Sequence, residues 1–203
     1  MPQNVMIVGD DNNNTLRYTA LGDSLTAGVG TTKMEDTYPY ILATKISAEH
    51  KSVVLNNFGI PGAKVKDVLD TQIDQALKTN PNLITLLIGT NDMHNRTSQI
   101  DFTSDVEKII TKLQDGTKAK IVVINIPYLE QSKLFISLYK YYFAKRAKEY
   151  NKKIQQIAQK YNLVYVDLYT HTVQTKQIYS PDLFHPSKES YLDWSNFIYE
   201  HTR

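Results

Sequence analysis

The chain has no cysteine. That excludes disulfides, cysteine-ligated zinc and a thiol nucleophile, but leaves the compartment open, because cytosolic and exported proteins alike can lack cysteine. An excess of charge of either sign is missing too. The formal net charge is +2, too small to argue for nucleic acid or an anionic membrane surface as partner. No apolar run reaches the roughly 18 residues of a membrane-spanning helix. Residues 1–14 hold no basic segment followed by an apolar one, so the chain as it stands shows no signal peptide. Internal repeats, low-complexity tracts and interdomain linkers are also lacking.

What is present is enough for one core. With 203 residues of which 41% are apolar, a single domain is expected. Apolar, β-branched runs at residues 16–21, 52–58, 83–88, 119–126 and 163–168 read as strands. Helix-length stretches separate them at residues 38–48, 65–78, 102–113 and 136–161. This alternation predicts an α/β domain with five parallel strands and helices on both faces, a three-layer sandwich joined by right-handed crossovers. Residues 1–15, with Asn12-Asn13-Asn14, are expected to be an N-terminal extension that is partly disordered, leaving residues 16–203 as the domain.

Ligands of such sheets bind at the carboxyl ends of the strands, and four short motifs fall there. Gly22-Asp23-Ser24 ends the first run and opens a helix. A serine on that turn either caps the helix or presents its hydroxyl beside unpaired amides that can receive an oxyanion. Gly59 follows the second run, in Asn56-Asn57-Phe58-Gly59-Ile60-Pro61-Gly62, and its amide can donate to a ligand or serve an ordinary turn. Gly89-Thr90-Asn91-Asp92 follows the third; Asn91 either starts a helix or offers a side-chain N–H to a tetrahedral intermediate. Asp182-Leu183-Phe184-His185 lies between Pro181 and Pro186, where a carboxylate can hold one imidazole nitrogen and leave the other as a base.

Taken together and in this order, the motifs resemble those of the SGNH hydrolases, the GDSL-type lipase/esterase family, over residues 20–185. The resemblance implies a flavodoxin-like fold and a carboxyl-ester hydrolase that works through an acyl-enzyme, without metal or cofactor. It makes Ser24 the nucleophile, His185 the general base and Asp182 its orienting carboxylate. The oxyanion hole would be the amides of Ser24 and Gly59 and the side chain of Asn91. Short-acyl esters, lysophospholipid-like esters, thioesters and acetylated sugars all remain open as small-molecule or lipid-like substrates, and nothing here sets the oligomeric state. Two readings compete. A non-catalytic, flavodoxin-like ligand-binding module would use Gly28-Val29-Gly30-Thr31-Thr32-Lys33, which matches neither the Walker nor the dinucleotide pattern. A metal-dependent phosphoesterase needs convergent ligands, and His50, His94, His171, His185 and His201 assemble no convincing set. Of these, His94 is expected in a loop at the rim of the cleft and His171 at the surface after the last strand. A Gly-x-Ser-x-Gly elbow is absent.

Tyr139, Phe143, Ala147, Tyr150, Ile154, Ile157 and Tyr161 recur at helical spacing and are expected to face the core. Phe135, Tyr141 and Tyr142 exceed what that stripe needs and are expected to form one wall or a lid of the acyl pocket.

Overall fold

The computed structural model describes residues 4–9, 15–50, 52–130 and 137–202. Its strands are β1 (Asn4–Gly9), β2 (Thr15–Gly22), β3 (Ser52–Asn57), β4 (Leu83–Leu87), β5 (Lys120–Ile124) and β6 (Val164–Val166), in the order β1-β3-β2-β4-β5-β6. From β3 to β6 every neighbouring pair is parallel. The sheet therefore has six strands where the repeating pattern predicts five. The extra one, β1, pairs antiparallel with β3 inside the stretch expected to be an extension. Its alternation explains the pairing: Val8 is buried and Met6 packs beside it, while Val5 and Ile7 face solvent. The neighbouring asparagines mask that short period-two signal.

The helices are α1 (Ser24–Ala27), α2 (Tyr38–His50), α3 (Val65–Asp67), α4 (Ile73–Lys78), α5 (Thr90–His94), α6 (Gln99–Gly116), α7 (Ser137–Lys160), α8 (Leu168–Gln174) and α9 (Lys188–Thr202). One sheet face packs Leu21, Ile84, Leu86, Ile121 and Val123 against α3 to α7. The other packs Ala20, Leu55, Leu87, Val122 and Ile124 against α2 and α9. Alternate residues of each strand thus feed opposite cores, as a doubly covered sheet requires. Helix α6 shows the local logic. Ser98 caps it by accepting from the Asp101 amide, and Phe102, Val106, Ile109, Ile110 and Leu113 form one buried stripe.

Two expectations change. Residues 65–78 are not one helix, because a single π turn (Val68–Gln72) separates α3 from α4. The turn sets Gln72 inward, where it meets β2. The stripe of α7 also begins later than the periodicity suggests: Ala147, Tyr150, Ile154 and Ile157 are buried, but Tyr139 is 56% exposed.

Strand order reverses around β2, which lies between β3 and β4 while the chain continues outward on both sides. The carboxyl ends of β2 and β4 therefore flank the switch point where α/β sheets bind ligands.

Candidate active site

Backbone demands come first. Gly22 has φ +154°, and a Cβ there would lie 2.1 Å from the Leu87 carbonyl oxygen of β4, so only glycine lets β2 turn at that point. Gln72 clamps the turn from below: its Oε1 accepts from the Gly22 amide at 3.0 Å and its Nε2 donates to the Gly22 carbonyl at 2.8 Å. A buried amide pair of this kind satisfies the backbone at the last residue of the strand. Gln72 escapes sequence reasoning because nothing in a helical stretch signals an inward glutamine.

Asp23 then caps α1, its Oδ1 accepting from the Leu25 amide at 2.9 Å. Ser24 opens the helix, so its own N–H lies among those without an intrahelical acceptor. Its Oγ stands 3.0 Å from His185 Nε2, across 161 residues of sequence. The other imidazole nitrogen, Nδ1, is 2.6 Å from Asp182 Oδ2. Asp182 Oδ1 is occupied separately, accepting from Ser180 Oγ at 2.7 Å and from the amides of Phe184 and His185 at 2.9 Å. Burial acts to raise the Asp182 carboxyl, but these hydrogen bonds, His185 foremost, outweigh it and hold the group well below the usual carboxylate range. An ionised carboxylate only accepts. Nδ1 therefore carries the proton, and Nε2 presents a lone pair to the serine hydroxyl. The loop is preset for this: Leu183 adopts φ +60°, and Ser180 and His185 bond through their backbones at 2.8 Å.

Asn91, in the first turn of α5, faces the same corner. Its Nδ2 donates to the Ala63 carbonyl at 3.0 Å and lies 3.5 Å from Asp23 Oδ2. The next residue, Asp92, accepts from the Val65 amide at 2.9 Å, which ties α5 to the loop after β3.

Ser24, Asn91, Asp182 and His185 thus converge on the carboxyl edge of the sheet. The GDSL-like lipase/acylhydrolase family model matches residues 20–192. The chain belongs to that family. Solved structures with the same fold include a lipase/acylhydrolase from Enterococcus faecalis, at 23% identity and a TM-score of 0.76 over 91% of this chain and 94% of that one. An acetylxylan esterase from Geobacillus stearothermophilus, Axe2, shares 17% identity at a TM-score of 0.72, over 96% and 95% of the two chains. The lipase Lip_vut3 from a goat rumen metagenome shares 19% at 0.77, over 92% and 97%. No curated protein matches the sequence.

For this GDSL-like hydrolase the expectation placed on Gly59 needs revision. Its amide donates to Asn57 Oδ1 at 2.9 Å, so it is already committed. Asn57 Nδ2 in turn donates to the Thr26 carbonyl at 2.8 Å, and a Cβ on Gly59 would lie 2.3 Å from the Ala27 nitrogen. Gly59 is there for close packing of the loop against α1. Gly62, three residues on, has φ +83° with open space where a Cβ would be. It directly precedes Ala63, the residue that holds Asn91.

The aromatic expectations also divide. Phe135 lies outside the described residues. Tyr141 is 74% exposed and Tyr142 39%. Tyr142 meets Phe143 edge-on at 5.3 Å, Phe143 meets His94 at 4.6 Å, His94 meets Phe184 at 5.6 Å, and Phe184 stands perpendicular to His185 at 5.0 Å. This aromatic path runs from α7 to the imidazole and includes Tyr142 but not Tyr141. Phe184 was missed because it sits within a motif read only for its acid and histidine. His94 sits at the end of α5 rather than in a loop, and burial, then the Arg146 guanidinium, push its pKa down to about 4. His171 lies in α8, 2.8 Å from Asp193 and stacked on Phe197, so it joins α8 to α9.

Burial pushes the Asp23 carboxyl up to about 7; the Leu25 amide opposes this and the nearby Asp92 adds to it. In the unfolded chain an aspartate titrates near ~3.9. Between those values the folded state holds a proton that the unfolded state has released, so stability falls as pH rises from about 4 to 7. Asp23→Asn keeps an acceptor for Leu25 and removes the buried charge. It should unfold with a flatter pH dependence and be more stable than the native protein at pH 8, by an amount on the order of a few kcal/mol, as read by urea denaturation.

Proposed function

We propose that the protein is a metal-independent serine esterase that transfers an acyl group from a carboxyl ester to Ser24 and then to water. The observation that carries this reading is the continuous chain Ser24 Oγ, His185 Nε2, His185 Nδ1, Asp182 Oδ2, at 3.0 Å and 2.6 Å. His185 takes the hydroxyl proton as Ser24 attacks the ester carbonyl and returns it to the leaving alcohol. It next deprotonates water, which attacks the acyl carbonyl, and gives that proton to Ser24 Oγ as the carboxylic acid departs. The developing oxyanion is met by the amides of Ser24 and Gly62 and by Asn91 Nδ2, with Gly62 taking the place first expected of Gly59.

The ester is short in its acyl part. No long apolar insertion is available to shelter an extended chain. The aromatic path from Tyr142 to Phe184 supplies a wall of limited length. Each buried methylene is worth about 0.8 kcal/mol, so binding should improve with chain length until the wall ends and then turnover should fall.

A fluorophosphonate should add once to the native protein and not to Ser24→Ala, with ester hydrolysis lost in parallel and unaffected by EDTA. Labelling at another serine, or activity that EDTA removes and zinc restores, would refute the assignment. Among p-nitrophenyl acetate, butyrate, octanoate and palmitate, the first two should react best. Tyr142→Ala should alter the profile and Tyr141→Ala should leave it alone. A preference for palmitate would overturn the short-acyl claim.

A further inference from the structure

The two ends of an asparagine carboxamide are alike in shape, and only the neighbours decide which end faces a given direction. Around Asn91 those neighbours are oxygens. Nδ2 is 3.0 Å from the Ala63 carbonyl and 3.5 Å from Asp23 Oδ2. Turned over, Oδ1 would confront the Ala63 carbonyl with no proton between and, once Asp23 has ionised above about pH 7, its carboxylate oxygen as well. Asp23 cannot move aside, since it is fully buried and its Oδ1 is held by the Leu25 amide at 2.9 Å. We propose that Asp23 is a positioning residue for catalysis, whose second carboxyl oxygen keeps the donor end of Asn91 turned toward the oxyanion.

This rests on the reading of Asn91 as an oxyanion donor. The two contacts have different duties. The 3.0 Å bond to Ala63 consumes one N–H and fixes the side chain to the loop after β3. The 3.5 Å contact to Asp23 is too long to capture the other N–H firmly. It favours the correct end of the carboxamide yet leaves that proton free to shorten onto the negative oxygen as it forms. The N-cap role of Asp23 and this second role use different oxygens, so substitutions can separate them.

Asp23→Asn is the separating change. Its single oxygen is claimed by Leu25, which turns its own NH2 toward Asn91. A donor now faces a donor, so the orientation that the Ala63 carbonyl favours is opposed where the carboxylate had supported it, and Nδ2 is held less firmly on the oxyanion side. Asp23→Ser still caps Leu25 but is too short to present that donor. With p-nitrophenyl acetate at pH 8, where Asp23 is ionised, kcat should fall about 10- to 100-fold in Asp23→Asn with KM nearly unchanged, and less in Asp23→Ser. Asn91→Ala should lose about 10²–10³, and the double variant Asp23→Asn/Asn91→Ala should lose no more than Asn91→Ala alone. Thermal unfolding of each variant separates loss of fold from loss of rate. Native-like kcat in Asp23→Asn, losses that multiply in the double variant, or Asp23→Ser worse than a folded Asp23→Asn would each overturn the proposal while leaving the oxyanion role of Asn91 intact. If Asn91→Ala itself kept full kcat, the oxyanion reading would fail and the proposal with it.

Discussion

Ser24→Ala and His185→Ala are each expected to lower kcat by about 10⁶, and the double variant should fall no further. In the proposed mechanism one proton serves both groups. Without Ser24 the imidazole has no hydroxyl to activate; without His185 the hydroxyl remains a weak, protonated nucleophile. On that reading their 3.0 Å separation joins them in one functional unit, and removing either member removes the covalent route. What survives is the oxyanion hole acting on water, worth a factor of about 10³–10⁴ over the uncatalysed reaction. The measurement is kcat for p-nitrophenyl acetate in the two single variants and the double, with fluorophosphonate labelling to exclude native contaminant. Losses that multiply would mean two independent devices and would sink the shared-proton mechanism. Both positions should tolerate alanine structurally, since neither side chain carries backbone hydrogen bonds that hold an element in place.

Residues proposed to act through a side chain at a strand end are the ones whose convergence was most legible in the sequence. Ser24, Asn91, Asp182 and His185 each stand in a short motif just past an apolar run or between two prolines, and the sheet brings those positions together. Residues proposed to act through the backbone were harder. Asn57-Phe58-Gly59-Ile60-Pro61-Gly62 contains two glycines, and composition does not say which amide is free. That depends on Asn57 folding back on Gly59, a contact visible only in three dimensions. Gln72 shows the same limit. Its inward position follows from a π turn, and a five-residue change of helical pitch leaves little trace in an apolar pattern. At the amino end, the period-two signal around Met6 and Val8 was too short to stand out beside three asparagines. Helical spacing placed Tyr139 on the core stripe, but the first turns of α7 run past the core, so spacing alone overreached there.

Asp182→Asn should cost about 10⁴ in kcat while leaving the fold intact. Oδ1 of the native carboxylate already gathers Ser180 Oγ and two backbone amides, so an asparagine at this position will keep its single oxygen there. Its NH2 must then face His185 Nδ1. A donor at that point forces the imidazole to carry its proton on Nε2, which can no longer accept from Ser24. The nucleophile and base are both present, in the wrong tautomer. The side chain of Asp182 is 45% exposed, so the exchange leaves little buried charge to rearrange. Its low pKa has a further consequence with a definite sign. A carboxyl depressed by folding contributes stability above its unfolded value near ~3.9 and loses it only as pH falls through the lower folded value. Asp182 therefore stays ionised through the whole weakly acidic range, and a rate loss between about pH 5 and 7 cannot be assigned to it. Asp182→Ala removes the wrong donor along with the right acceptor, so it should be less damaging than His185→Ala. Steady-state kcat for the Asp182 variants, set beside far-ultraviolet circular dichroism, decides the matter. An Asp182→Asn enzyme within tenfold of native would mean that something other than this carboxylate sets the His185 tautomer.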